Sequence, residues 1–308
     1  MKRKLVIGTR GSKLALWQAN FVAGRIRQQY SGIEVSLKRV VTTGDKILDV
    51  PLAKIGGKGL FTKELENEML AGEIDLAVHS LKDMPTELPA GLVLAAITKR
   101  ADAGDALISP RYRMVDALPQ GAKVGTSSLR RRAQLLKYRP DLQIVDLRGN
   151  LDTRLKKLET NDLDAILLAA AGLKRLNWER QITQVLPREI CLPAVGQGAL
   201  AIETRESDQD VLAVLEFLND AETRFAVTAE RAYLKKVEGG CQIPVGVYGM
   251  VSGQQLTLEA VILTVDGTRQ VRDKVSGSCN KAAELGTALA EKMLAAGGRE
   301  ILAELTVG

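Results

Sequence analysis

Apolar residues along the chain gather into short runs that end in polar, glycine-containing turns, and the first such run covers residues 5–9. A run of that length stopped by Gly8-Thr9-Arg10 reads as a buried strand. After Arg10-Gly11-Ser12, the residues Leu14, Trp17, Phe21, Val22 and Ile26 recur at helical spacing, which predicts an amphipathic helix with Ser12 as its N-cap. Ile33, Val35 and Leu37 alternate with polar residues, as in a strand, and a helix is predicted over 60–71 and a strand over 75–78. Further on, Lys123-Val124-Gly125-Thr126-Ser127-Ser128 precedes a helix predicted over 129–138, just as Val6-Ile7-Gly8-Thr9-Arg10-Gly11-Ser12 precedes the first. Ile74-Asp75-Leu76-Ala77-Val78 is echoed by Leu163-Asp164-Ala165-Ile166-Leu167. Such echoes predict two α/β domains of related design facing one another.

The pattern changes after Leu192-Pro193-Ala194-Val195-Gly196-Gln197-Gly198, a punctuated segment suited to a crossover, with 200–203 returning as a strand to the first domain. From Ala221 a helix is expected to about 236. A Gly-Gly-Cys turn, strands near 245–251, 256–265 and 270–275, and a helix over 281–295 complete a separate α+β domain. The expected domains are 1–98 with 199–216, then 104–192, then 221–308.

Composition narrows the setting. A chain of 308 residues exceeds one ordinary core and suggests two or three domains. The net charge of +6, from 43 Lys+Arg against 37 Asp+Glu, is a mild excess that leaves nucleic acid, an acidic small molecule and simple solubility open. The basic start Met1-Lys2-Arg3-Lys4 is followed by an apolar run too short for a secretory h-region, and no stretch is long enough to span a bilayer. Cys191, Cys241 and Cys279 are odd in number and far apart, which argues against a disulfide framework and for a reducing cytoplasmic setting. With one histidine and no closely spaced cysteines, no zinc site is expected.

The chemistry concentrates where strands run out. Ala77-Val78-His79-Ser80-Leu81-Lys82-Asp83-Met84-Pro85 puts the only histidine, a lysine and an aspartate just after an apolar run, and ligands of open α/β sheets bind beyond the carboxyl ends of strands. Taken alone, the stretch reads better as a strand end with a solvated Lys-Asp pair and a packed histidine. The Gly-Thr–Ser–helix turns offer free N–H groups and a positive helix end to an anion. Arg10, Arg130, Arg131, Arg132, Arg148 and Arg154 lie around them, and their planar forks match carboxylates. A single arginine at a helix start suits solvated surface as well; their concentration points to a cleft for a polyanion. Gly57-Lys58-Gly59 lacks the residues a P-loop needs on either side of its lysine, so it reads as a mobile loop carrying Lys54 and Lys58. Cys241, on the Gly-Gly turn at a helix end, differs from the other two cysteines.

Taken together, Ala77 to Pro85, Val124-Gly125-Thr126-Ser127-Ser128-Leu129-Arg130-Arg131, Leu147-Arg148-Gly149-Asn150, Leu192 to Gly198 and Glu238-Gly239-Gly240-Cys241 resemble the porphobilinogen deaminase family, in order and spacing from end to end. The resemblance implies two α/β domains like those of type II periplasmic binding proteins plus a C-terminal α+β domain that carries the cofactor cysteine. It implies a cytoplasmic, monomeric transferase that condenses four porphobilinogen molecules head to tail with loss of ammonia and hydrolytically releases hydroxymethylbilane. One dipyrromethane per chain is then held by Cys241 through a thioether. By the same resemblance Asp83 is the catalytic carboxylate, and it contacts the cofactor together with Ser80, Lys82, Thr126, Ser128, Arg130, Arg131 and Arg148. Arg10, Ser12, Arg148, Arg154 and Arg175 hold substrate carboxylates, and Lys54 and Lys58 lie on a loop over the site. Arg132, Cys191 and Val237 depart from the family pattern without removing a residue it needs. The competing classes fit less well. A solute-binding module gives Cys241 no role, and an aromatic content of 4% leaves little for stacking on nucleic acid.

Overall fold

The computed structural model of the protein describes residues 3–46, 59–237 and 243–306; Lys54, Lys58 and Cys241 lie outside them. The chain first lays down β1 (Lys4–Thr9), α1 (Lys13–Gln29), β2 (Glu34–Arg39), α2 (Lys63–Leu70), β3 (Leu76–Ser80) and β4 (Leu92–Ile97). It continues through β5 (Asp105–Ile108), β6 (Lys123–Gly125), α3 (Leu129–Tyr138), β7 (Gln143–Val145), α4 (Leu151–Thr160), β8 (Ala165–Ala169), α5 (Ala170–Arg175) and β9 (Gln184–Val185). Then come β10 (Leu200–Arg205), α6 (Gln209–Leu215), α7 (Ala221–Lys236), β11 (Val245–Ser252), β12 (Gln255–Leu263), β13 (Gln270–Ser278), α8 (Ala282–Met293) and α9 (Arg299–Ala303). These elements form two compact units, residues 1–101 with 199–224 and residues 102–198 with 225–308.

The first unit holds a five-stranded sheet in the order β2-β1-β3-β10-β4. Strands β1, β2 and β3 are parallel, and β10 runs antiparallel to both its neighbours. The expected return of the chain at residues 200–203 is therefore present as β10. Leu76 and Val78 face one core with Ile7, Val22 and Ile26. Ala77 faces another with Leu65, Met69 and Ile74. Burial on both faces is what a sheet covered by helices on either side requires, and it explains the near-continuous apolar run of β3.

In the second unit a sheet in the order β7-β6-β8-β5-β9 repeats the plan, with β6, β7 and β8 parallel and β5 antiparallel to its neighbours. The registers correspond residue by residue: Gly8 pairs with Ala77 as Gly125 pairs with Ile166, and Ser80 pairs with Leu200 as Ala169 pairs with Asp105. The echo Asp75/Asp164 has a structural cause. Val6 N–H donates to Asp75 Oδ2 at 2.8 Å, and at the matching place Lys123 N–H donates to Asp164 Oδ2 at 2.9 Å. Thr204 Oγ1 donates to the Asp75 carbonyl at 2.7 Å, as Ser109 Oγ does to that of Asp164 at 2.6 Å. The paired glycines share a reason too. A Cβ on Gly8 would run into the ends of the Ile74 and Leu65 side chains, and one on Gly125 would lie 2.9 Å from Leu163 and 3.0 Å from Ile166, so a side chain at either place would have to push these apolar side chains aside.

The second unit also contains an antiparallel meander, β11-β12-β13, under α7 and α8. Its core includes Tyr233, Val247, Leu258, Ile262, Leu289 and Met293. Ala133 and Leu192 pack with Val261 and Leu263, which fastens this layer to the α/β sheet within the unit. Two α/β sheets and a small C-terminal α+β layer agree with the expected class. Differences lie at the ends of elements. The helix expected over 60–71 begins only at Lys63, and the strand expected over 75–78 runs on through His79 and Ser80, because both polar side chains find partners inside the first unit.

Candidate functional site

Parallel strands bring their carboxyl ends to one edge, so the turns after β1 and β3 share an edge of the first sheet. After β1, Ser12 caps α1 by accepting from Ala15 N–H at 3.2 Å, as its position in the pattern predicts. Arg10 turns its guanidinium to Asp45, with Nε donating to Oδ1 at 3.1 Å, and stacks over the Phe61 ring at 4.2 Å. Burial works against ionisation of Asp45, but the bonds from Arg10 and Thr42 outweigh it and keep its carboxyl below the usual range. After β3, Ser80 accepts from Gln18 Nε2 at 2.8 Å, which fixes the strand end against α1. The next residues form a single 3-10 turn, Leu81–Asp83, with Leu81 buried and Asp83 exposed. Among the described residues, Asp83 makes no hydrogen bond or ion pair; Lys82 lies beside it, half-buried.

His79 proves to be a core residue. Its Nε2 lies 3.0 Å from Glu203 Oε2, with the two side chains 5% and 0% exposed. Glu66, on α2, is also buried, and burial pushes its carboxyl above the ordinary value. One oxygen each of Glu203 and Glu66 is buried without a hydrogen-bond partner.

At the matching edge of the second unit, Ser128 caps α3 by accepting from Arg131 N–H at 3.4 Å. Thr126 Oγ1 accepts from Ser128 N–H at 3.2 Å, and Ser127 Oγ from Leu147 N–H at 2.9 Å, which ties the turns after β6 and β7 together. Arg130 and Arg131 are each only 5% exposed and converge on Asp105, the first residue of β5. Arg130 Nη1 and Nη2 donate to the two Asp105 oxygens at 2.6 and 3.2 Å, and Arg131 Nε donates to Oδ1 at 2.8 Å. Gln197 Nε2 adds a bond to the same carboxylate at 3.0 Å, and Cys191 Sγ donates to it at 3.2 Å. Burial opposes the charge on Asp105, yet the two guanidiniums hold its carboxyl far below the usual range. Burial and the neighbouring Asp105 push the Cys191 thiol up to about 12, so it is inert where it stands.

The turn after β7 carries Arg148, and Asn150 caps α4 by accepting from Thr153 N–H at 2.9 Å. Arg154 Nε donates to the Gly149 carbonyl at 2.7 Å, which holds this turn. After β8, Arg175 Nη2 donates to the Gly198 carbonyl at 2.7 Å, and burial draws its guanidinium down to about 10. Each predicted arginine of the second unit thus stands at or just beyond a strand end on one edge. Arg148 Nη1 is buried there without a partner among the described residues, and an orphaned guanidinium N–H calls for an acceptor. Arg132 turns away from this edge, toward Thr264, Asp266 and Arg269. The Arg148 donor, with Thr126 and Ser128, fits a ligand bearing carboxylates.

Among the described residues, no group of three or more His, Cys, Asp or Glu side chains is placed to hold a metal ion. Sequence reasoning missed Asp105, Glu66 and Glu203. It also missed Glu230 on α7, whose buried carboxylate accepts from Gly196 N–H at 2.7 Å and Gly249 N–H at 2.8 Å. A signal existed for Asp105: a carboxylate opening an apolar strand needs a cation, and the Arg130-Arg131 pair was in view.

With this geometry in hand, comparisons with known proteins become decisive. A family described as porphobilinogen deaminase, dipyromethane cofactor binding domain, matches residues 5–213, and its C-terminal domain matches residues 224–295. The chain belongs to the porphobilinogen deaminase family. A porphobilinogen deaminase of Geobacter sulfurreducens is 57% identical over 302 residues, covering 98% of this chain and 95% of that one. One of Desulforamulus reducens is 53% identical over 308 residues and covers both chains fully, at 100% each. Among solved structures, the methionine-binding protein MetQ aligns with 70% of this chain and 89% of its own at 15% identity and a TM-score of 0.45. The family's cofactor-binding match spans all the strand-end turns described above, from Arg10 to Arg175.

Proposed function

We propose that the chain is a transferase that polymerises four porphobilinogen molecules head to tail on a covalent dipyrromethane, with loss of ammonia at each step, and then releases hydroxymethylbilane by hydrolysis. The observation that carries this reading is the unpartnered, exposed Asp83 carboxylate on the turn after β3, within a family defined by its dipyrromethane domain. When bound, the dipyrromethane supplies the terminal pyrrole ring to which each new ring is joined. Asp83 accepts hydrogen bonds from pyrrole N–H groups and stabilises the positive charge that develops as the amine leaves. A carboxylate without a partner among the described residues suits that task, and such stabilisation is worth most where water is excluded.

Carboxylates of cofactor and substrate are taken by the basic residues. Lys82, Ser80, Thr126, Ser128, Arg130, Arg131 and Arg148 serve the cofactor; Arg10, Ser12, Arg148, Arg154 and Arg175 serve the incoming substrate. Cys241 anchors the cofactor through a thioether, and Lys54 and Lys58 belong to a loop over the site. Support for Cys241 comes by contrast, since Cys191 and Cys279 are both buried. The domains behind this reading are 1–98 with 199–216, 104–192 and 221–308. The protein acts as a cytoplasmic monomer without nucleic-acid or membrane partners. No helix among the described residues is long and apolar enough to cross a membrane.

Intact-mass measurement tests the reading. The purified chain should exceed its sequence mass by one dipyrromethane and gain a ladder of rings with porphobilinogen. A bare polypeptide that neither gains mass nor consumes porphobilinogen would overturn it. Cys241→Ser should remove the adduct from otherwise folded protein.

A further inference from the structure

The Arg130, Arg131 and Asp105 cluster has a counterpart in the first unit. Counting from the capping serines, Ser12 and Ser128, Leu14 and Ala15 stand where Arg130 and Arg131 do. Leu200, paired with Ser80, stands where Asp105 pairs with Ala169. Ala15 and Leu200 are 9% and 1% exposed, so the same sheet plan is completed there by apolar side chains. Replacing a buried ion triad by well-packed apolar residues is commonly neutral or stabilising, because taking charges out of water is costly. The fold therefore does not require charges at these three places.

We infer that Asp105 is the positioning residue of the arginine pair: its inaccessible carboxylate fixes the orientation in which Arg130 and Arg131 meet the cofactor's carboxylates. The inference rests on the proposed role of that pair. Its geometry is specific. The carboxylate takes a two-pronged contact from Arg130 and the Nε edge of Arg131, while Arg130 Nη1 also donates to the Leu192 carbonyl at 2.6 Å and Arg131 Nη1 to that of Leu167 at 3.0 Å. Both forks are thereby clamped from two sides. Gln197 and Cys191 fill remaining acceptor sites on Asp105. With one carboxylate for two guanidiniums, the cluster keeps a net positive charge that a ligand carboxylate would neutralise.

The test compares Asp105→Asn, Asp105→Glu, Arg131→Gln and the triple variant Asp105→Leu/Arg130→Leu/Arg131→Ala, which copies the first unit. For each, the folded fraction is isolated, its thermal transition recorded, its cofactor occupancy read by intact mass, and KM and kcat measured. The triple variant should fold with a transition at or above that of the parent and carry no cofactor. Asp105→Asn and Arg131→Gln should each lower the cofactor-bearing fraction of folded protein about tenfold. Should Asp105→Asn yield no folded protein, Asp105→Glu decides. It keeps the charge but moves the carboxylate by a methylene, so it should fold, with lower occupancy and a raised KM. Parental occupancy and KM in the folded Asp105 variants, alongside loss in Arg131→Gln, would overturn the positioning role alone. Parental occupancy in Arg131→Gln as well would overturn the reading of the arginine pair. A triple variant that fails to fold would make the cluster a structural requirement and defeat the inference.

Discussion

Where the second sheet places Asp105 between two arginines, the first has Leu200, Leu14 and Ala15 at the corresponding positions; where the first buries His79 against Glu203, the second has Leu168 and Ile108 at matching registers. The two units thus share strand order, the Asp75/Asp164 clasp and the crowded glycines, and differ in which positions bury charge. The shared features all serve to bring strand ends to one edge. The differences give each edge its own chemistry: a lone carboxylate beside the first, anchored guanidiniums along the second. One sheet plan has been fitted for two tasks by changing a few side chains.

The comparison breaks most visibly at Asp83. Asp83→Asn should cut kcat by at least about 100-fold while intact mass still shows the cofactor, because the charge at the first edge is lost and the second edge is untouched. Unchanged turnover would remove the functional contrast between the edges. Next in size is Glu203→Gln, which leaves His79 facing an uncharged amide in a sealed site. Weakening this buried hydrogen bond costs about 2 kcal/mol, to be read by denaturant unfolding. A loss as small as that of a surface substitution would mean that the pair is not part of the first unit's core.

Asp75→Ala and Asp164→Ala sharpen the likeness rather than the contrast. Each frees a backbone N–H at the same register, and the two should cost the same, about 1–2 kcal/mol, in equilibrium unfolding. A large difference would show that the repeated clasp carries unequal weight. The smallest effect concerns pH. Burial raises Glu66 above its ordinary 4.5, so its contribution to stability is full below that value and is lost as pH rises through the folded value. Asp105, which is lowered, behaves oppositely: its contribution is full above 3.8 and is lost progressively as pH falls from there toward the folded value. Glu66→Gln should therefore gain on the parent as thermal unfolding is followed from pH 4 to pH 8. A gain that does not grow with pH would contradict the upward shift that burial gives this carboxyl.

Local features were legible in the sequence. Ser12 and Ser128 marked helix starts because their side chains satisfy N–H groups within their own turn. Three of the five motifs found the edges, because Ala77 to Pro85, Val124 to Arg131 and Leu147 to Asn150 each lie at or just after a strand end. Partnerships across the fold were hidden. His79 meets a carboxylate 124 positions away, and Arg130 one 25 positions away. No local spacing reports such a pairing, since it depends on β10 and β5 being inserted antiparallel beside β3 and β8. The short β5 has four residues and no alternation to announce it.

That insertion also orders events in time. The second sheet takes its antiparallel strand β5 from just before its other strands, so all its pieces lie within residues 105–185. The first sheet takes β10 from residues 200–205, and β10 separates β3 from β4. A growing chain therefore cannot close its first sheet until the second has been entirely synthesised. Of the two α/β sheets the one begun first is finished last, and until then β3, whose end carries Asp83, lacks β10 beside it. The edge strands of an incomplete sheet invite mispairing, so the early half of this chain bears the greater risk during biosynthesis.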